Sequence, residues 1–436
     1  MKHQRAALLL LIVLLLPPMA GCESYRNGWE PYRMRVSGSD PAVGSDPTVR
    51  QAGSDPVTLL IWGETDADSL EAFRREHPEV VIEYEQQDAI NWETEWIAAL
   101  AADAGPDVFV YESERAGWAS SLDVLEDLSD EAYSLDSLRT LMTDAEWAET
   151  WSLDRKRQPF LPIYAYPAML FYREDIMRQN GFPSEPDALA AYLADPVQWM
   201  GMVRELKSAG HLAMEWRESP WNVGALVAVP FTQTLEWHMK QNQFTQVLQQ
   251  SALANREGLV ANINIWDEAG KVALRNDELV MFSMGAWGVD LLQEWLPEQT
   301  GKWRATRLPA GLSAQWGTRW MSMNQASDQK DLAWELMEST VFAVRTYYAG
   351  LEAQAYPYFG NQQVFALVRQ MREEMVPMLR TPLDAQVADL FWSQQYLLYT
   401  GNMPAADFID YVNREIEARF GLELSALRDM MSQTEP

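Results

Sequence analysis

Between Val57 and Tyr111 the chain alternates three short β-rich runs with two helical stretches, an order that leaves few architectures open. Residues 57–62, VTLLIW, read as a buried strand because β-branched and apolar residues run together without a helical period. Gly63 then turns the chain into a helix that starts near Asp66 or Asp68, where acids suit the positive helix end, and stops at His77-Pro78. Residues 80–85 are predicted as the second strand, residues 92–102 as the second helix, and Asp107 to Tyr111 as the third strand. Strand, helix, strand, helix, strand at this spacing implies a parallel α/β sheet with right-handed crossovers. Ligands bind such sheets beyond the carboxyl ends of the strands. That rule points to Trp62 through Asp66, to Asp88, and to Glu112-Ser113-Glu114.

Residues 161–175 form a second constraint. They make an extended run of about a dozen residues, twice the usual strand length, with Pro167 near the middle. A central proline removes a ladder donor, so the run is expected to leave one sheet and enter another. Residues 187–193, 196–209, 221–232, 245–254, 363–379, 382–398 and 404–420 are predicted helices, the last three forming an amphipathic C-terminal layer.

The N-terminal end reads differently. Nine apolar residues, Leu8 to Leu16, follow Lys2 and Arg5 and precede Met19-Ala20-Gly21-Cys22, which holds the only cysteine in 436 residues. The run is too short for a membrane-spanning helix, which needs about 20 residues. It reads as an export signal, residues 1–21, whose close resembles a lipobox with Cys22 as the lipidated residue. Residues 22–56 repeat Gly-Ser-Asp-Pro three times and lack a hydrophobic period, so they are expected to act as a flexible tether. A coil of this length spans roughly 30–35 Å. The expected location is the outer face of a cell membrane, held by lipid.

About 415 residues remain after such a signal, too many for one compact core, which suggests two domains or lobes. The formal net charge of −29 would repel nucleic acid. No P-loop, Gly-x-Ser-x-Gly elbow or His-Glu-x-x-His motif occurs, and the four histidines, His3, His77, His211 and His238, stand apart. Neither a metal site nor a cofactor is expected.

Several segments in order resemble the bacterial extracellular solute-binding proteins of the maltose-binding type, in the carbohydrate importer family. Pro162-Ile-Tyr-Ala-Tyr166 with Leu170-Phe-Tyr-Arg-Glu-Asp175 and Gly181 is similar to the family's interlobe crossover. Gly105-Pro-Asp-Val108, the run from Leu279 to Gly285-Ala-Trp287, residues 303–309 and residues 331–337 resemble further family segments. The resemblance covers roughly residues 57–430. It implies an α/β, two-lobed, type II periplasmic-binding-protein-like fold, each lobe a mixed sheet flanked by helices, with the ligand cleft between them. By analogy the first lobe comprises residues 57–164 plus 313–342, and the second 165–312 plus 343–436.

The implied function is capture of a carbohydrate by hinge closure and delivery to the membrane permease of an ABC-type importer, as a monomer. A sugar offers hydroxyls for directional hydrogen bonds and C–H faces that lie well on aromatic rings. Candidate ring platforms are Trp62, Tyr164, Tyr166, Trp221, Trp287, Trp316 and Trp320; candidate hydroxyl partners are Glu64, Asp88, Glu112 and Arg319. Gly285-x-Trp287 and Gly317-Thr-Arg-Trp320 place rings beside permissive backbone. Two other readings stay open: a surface polysaccharide-degrading enzyme using the pairs Glu64/Asp66 or Glu112/Glu114, and a ligand-sensing lipoprotein.

Overall fold

The computed structural model describes residues 57–63, 67–85, 92–102, 104–120, 122–219, 221–222, 225–401 and 403–432. The signal, Cys22 and the tether lie outside them, as do Glu64, Asp66 and Asp88. Among the described residues eight strands form two sheets: β1 Val57–Trp62, β2 Val80–Glu85, β3 Val108–Glu112, β4 Leu161–Tyr164, β5 Ala168–Arg173, β6 Met281–Gly285, β7 Trp303–Thr306 and β8 Arg319–Met323. The first sheet has the order β2-β1-β3-β8-β4 and the second β6-β5-β7.

β1 pairs in parallel with both β2 and β3, as the alternation of strands and helices requires, while β8 returns antiparallel between β3 and β4. The second sheet is antiparallel throughout, with β5 central. The run from Leu161 to Arg173 divides at Ala165 to Pro167: β4 belongs to the first sheet and β5 to the second. The proline therefore sits in the passage between lobes, where its missing N–H removes no ladder bond.

A second passage runs beside the first. Ala168 N donates to Ala314 O at 2.8 Å, Trp316 N donates to Tyr166 O at 2.8 Å, and Pro167 bridges antiparallel to Gln315. The two crossovers are thus one short ribbon joining the sheets. The helix Lys330–Leu351 runs unbroken past residue 342 and packs on β4 and on the helix Ala67–Glu76. All described residues fall in one compact unit, and no helix among them is long and apolar enough to cross a membrane.

Each lobe has its own apolar interior. Trp62, Trp96, Phe109, Tyr111, Phe160 and Trp320 pack together under the first sheet. Leu170, Tyr172, Trp199 and Met281 lie in a cluster on the second sheet, and Trp221, Phe244, Phe391, Phe408 and Val412 in a third cluster beneath the C-terminal helices.

Where helices were expected, four differ. Among the described residues of 221–232 the helix covers Ala225–Ala228, ending before Pro230, which cannot continue it, and Phe231 instead bridges to Trp237. The helix Val364–Glu373 stops before Pro377, leaving an extended segment to residue 380. Residues 382–398 break into Asp384–Gln394 and Tyr396–Tyr399, whereas Ala405–Ser432 continues well past Phe420.

Two glycines are required by close approach. Gly63 ends β1 with φ +108°, and a Cβ there would sit 1.8 Å from Val110 O. Gly117, in the helix Ala116–Ala119, lies against the turn before the helix Asp384–Gln394; a Cβ would come 2.4 Å from Thr381 O and 2.7 Å from Asp384 Oδ2. Alanine is the better helix former by up to about 1 kcal/mol, but here overpacking decides. Gly117→Ala should destabilise the protein by about 1–3 kcal/mol, read as a lower thermal midpoint; an unchanged or raised midpoint would refute the close approach.

Candidate ligand-binding site

The carboxyl ends of the first-sheet strands meet the crossover ribbon, and the candidate residues divide there into two groups. Glu112 ends β3, Arg319 begins β8 directly opposite it, and Tyr164 ends β4 on the other side of Arg319. Arg319 Nε lies 3.4 Å from Glu112 Oε1, with 23% and 31% of the two side chains exposed. A pair this open adds little stability. It sets a donor and an acceptor side by side at the strand ends.

On the second-lobe side, β6 ends at Gly285, paired with Ala168, and Ala286 N donates to Pro167 O at 3.0 Å. This anchors Trp287 beside the ribbon. Its indole Nε1 donates to Trp316 O at 3.1 Å, and its ring lies over Gly285 and Gly317. A Cβ on Gly285 would come 2.2 Å from that nitrogen, and one on Gly317, at φ +75°, 2.8 Å from it. Both glycines therefore seat Trp287. The sequence expectation that Gly317 serves Trp320 is corrected.

Trp316 meets Trp287 edge to face at 6.3 Å, and Trp266 lies on the other side of Trp287 at 5.7 Å with an interplanar angle of 31°. All three rings are half-buried. Tyr166, also half-buried, donates its hydroxyl to Tyr348 at 3.2 Å. The structure thus gathers Glu112, Tyr166, Trp287, Trp316 and Arg319 around the ribbon.

Four other candidates serve the interior. Trp320 and Trp221 are fully buried: Trp320 packs edge-on to Phe160, and Trp221 packs on Phe391 while donating to Ser251 Oγ at 3.1 Å. Trp62, 5% exposed, packs against Trp96 and Phe109. Their apolar area went to the core, the commonest use of large rings. Tyr164 is buried as well, stacked on Tyr348 at 4.4 Å and covered by the Arg372 guanidinium at 4.0 Å. Burial pushes its phenol up to about 12. It is a junction residue rather than a ring platform.

Trp266 was not anticipated. Its only local signal is Asp267, which caps the helix Glu268–Arg275 by accepting from Gly270 N at 2.9 Å and so fixes the chain direction beside it. Of the carboxylate pairs weighed for hydrolysis, Glu112 is tied to Arg319. No three His, Cys, Asp or Glu side chains among the described residues group to hold a metal ion.

The sequence profile described as "Bacterial extracellular solute-binding protein" matches residues 68–357. No curated protein matches the chain. Among solved structures it is similar to one described as an extracellular solute-binding protein family 1, at TM-score 0.67 and 19% identity over 83% of this chain and 99% of the other. It is similar to the sugar-binding protein MalE from Xanthomonas citri at TM-score 0.66 and 15% identity, over 87% and 100% of the chains. A third, the ABC transporter associated binding protein from B. animalis subsp. lactis Bl-04 in complex with beta-1,6-galactobiose, aligns at TM-score 0.61 and 16% identity, over 84% and 98%. At these identities the structural likeness defines the fold, that of the type II periplasmic-binding proteins.

Proposed function

The chain belongs to the bacterial extracellular solute-binding proteins, and from that premise we propose that it captures a carbohydrate between its lobes for import. The observation carrying this reading is the trio of half-buried tryptophans, Trp266, Trp287 and Trp316, beside the Glu112–Arg319 pair at the crossover ribbon. Flat rings suit the C–H faces of a pyranose, and a donor beside an acceptor suits its hydroxyls. The fold neighbours described with sugars support the same reading.

Capture proceeds by hinge closure about the ribbon, since a ligand touching both lobes favours the arrangement that brings them together. The lobes comprise residues 57–164 plus 313–342 and residues 165–312 plus 343–436. Cys22 bears the lipid that holds the protein on the outer face of the membrane. Residues 22–56 are its tether, and the loaded monomer delivers to the permease of an ABC-type importer. Glu64 and Asp88 complete the hydroxyl contacts.

The test is thermal unfolding of the full chain against a panel of mono- and oligosaccharides, with recovery of the sugar. A ligand at 100 times its Kd adds about 2.7 kcal/mol of stability. Trp287→Ala should cut the shift given by the best sugar at that concentration to about half or less, lowering affinity at least roughly tenfold, about 1.4 kcal/mol, while Tyr192→Ala, on the outer helix Pro186–Leu193, leaves it intact. No shift with any saccharide overturns the carbohydrate reading, and a shortened sugar overturns simple capture in favour of hydrolysis.

A further inference from the structure

Two buried glutamates three residues apart, Glu146 and Glu149, hold the lobe junction together from one helical turn. The sequence Thr143-Asp-Ala-Glu146 forms a capping box: Glu146 N donates to Thr143 Oγ1 at 3.2 Å and Thr143 N to Glu146 Oε2 at 2.8 Å. That box aims the Glu146 carboxylate at the first crossover, where it accepts from Ala165 N at 3.1 Å. It also accepts from Arg345 Nη1 at 3.0 Å and Arg372 Nη2 at 2.8 Å. Arg345 in turn donates to Pro162 O at 2.8 Å, so β4 is tied into the same cluster.

Glu149 does the equivalent for the second crossover. Its Oε1 accepts from Gln315 Nε2 and from Met378 N, each at 2.9 Å. Met378 lies on the extended segment between the helices Val364–Glu373 and Asp384–Gln394, and Arg372 precedes that segment. Each glutamate therefore joins one crossover to one end of the same second-lobe strap. Both are more than nine-tenths buried.

We propose that the Glu146–Glu149 turn is the pivot about which the lobes rotate, Glu146 holding the first crossover and Glu149 bracing the second in a way that depends on its protonation. This rests on the lobe closure proposed above. The two carboxyls differ because their surroundings differ. Two arginines hold Glu146 down at about 2 despite its burial, so it stays ionised. Glu149 is pushed up to about 7, first by burial, then eased by Arg380 and the two hydrogen bonds and raised again by Glu146. The charged groups facing it are Arg380 from the strap and Glu146 from its own turn; Gln315 faces it uncharged from the ribbon. Asp384 shares Arg380 and is likewise pushed up to about 7 by burial.

The arrangement described here thus favours a protonated Glu149. A rotation that admits water to Glu149 returns it to ordinary acidity, so rising pH favours the rotated arrangement, up to roughly tenfold for each pH unit separating the two acidities.

The experiment places spin labels on the exposed Val81 of the first lobe and Val272 of the second, as Val81→Cys and Val272→Cys in a full chain carrying Cys22→Ser, with no ligand added. The distance distribution should shift between pH 6 and pH 8 with a midpoint near 7. Glu149→Gln should hold the pH 6 distribution at both values, and Asp384→Asn should leave the change in place. Superimposed wild-type distributions, or a change that survives Glu149→Gln, overturn the pivot. Should Glu149→Gln fail to fold, Gln315→Ala decides: it removes a donor to the carboxylate and should raise the midpoint, and an unmoved midpoint overturns the proposal. Without sugar in the sample, this result and the saccharide panel fail independently.

Discussion

Glu146→Ala is expected to lower stability by about 3–5 kcal/mol, the loss seen when one member of a buried ion cluster is removed. The carboxylate accepts from two guanidinium groups and two backbone amides, and Arg345 and Arg372 are themselves buried around it. Truncation strands two cations in the interior with no counter-charge. The Arg345 Nε and Arg372 Nε already have no hydrogen-bond partner, so neither arginine can turn to a second acceptor through that atom. Taking ions out of water is itself expensive, and replacing all three charges with packed apolar side chains would cost far less than breaking the cluster at one point. Urea unfolding at pH 7 measures the difference. A loss below about 1 kcal/mol, the range of exposed pairs, would mean that water reaches the junction and the cluster is not buried as described.

Stability should also fall as pH rises from 5 to 8. Three buried carboxyls have folded pKa values raised well above those of an unfolded chain: Glu149 and Asp384 to about 7 and Glu215 to about 8, burial being the first cause in each. Between the ordinary carboxylate range and those values the folded chain binds protons that the unfolded chain has lost. Stability is therefore fully present below that window and lost as pH rises through it. At 1.36 kcal/mol for each pH unit, one such group accounts for roughly 3 kcal/mol, and the three together for about 5 or more, since Glu149 and Asp384 share Arg380.

His238 acts oppositely. Burial lowers it to about 4, so between there and 6.5 the unfolded chain takes up a proton that the fold refuses, and stability rises with pH. One histidine against three carboxyls leaves the net slope downward, and above 6.5 the carboxyls act without it. The excess of acidic residues adds repulsion in the same direction. Thermal midpoints at pH 5, 6.5 and 8 should drop by about 10 °C in total, taking roughly 2 °C for each kcal/mol in a large chain. Glu149→Gln, Asp384→Asn and Glu215→Gln should each flatten the profile. A level or rising profile would place these carboxyls in water.

What could be read from the order of residues was local in origin. The alternation from Val57 to Tyr111 determined a parallel α/β sheet because periods of two and 3.6 alternate at crossover spacing. Pro167 marked the passage between sheets because a proline has no ladder donor to lose there. Gly285 foretold the seat of Trp287 because only a missing side chain lets an indole lie on backbone, and the family resemblance pointed to the same segment. Thr143-x-x-Glu146 was a legible capping box, but nothing in those four residues says that the same carboxylate meets Arg345 and Arg372 some 200 positions away.

The division of the tryptophans was equally out of reach. Trp287 and Trp320 have the same side chain and similar glycine neighbours, yet one borders the ribbon and the other is wholly enclosed. Which of two identical rings stays at the surface depends on what packs against it, and for Trp320 that is Phe160, with Arg380 also over its ring, both distant in sequence. The chain by itself determined the three-strand parallel unit from Val57 to Glu112 and the place of the crossover, since those follow from short-range period and backbone chemistry. Only the tertiary structure decided which aromatics stay half-buried beside the ribbon and which glutamates are buried, because burial is a property of contacts between segments that no single segment encodes.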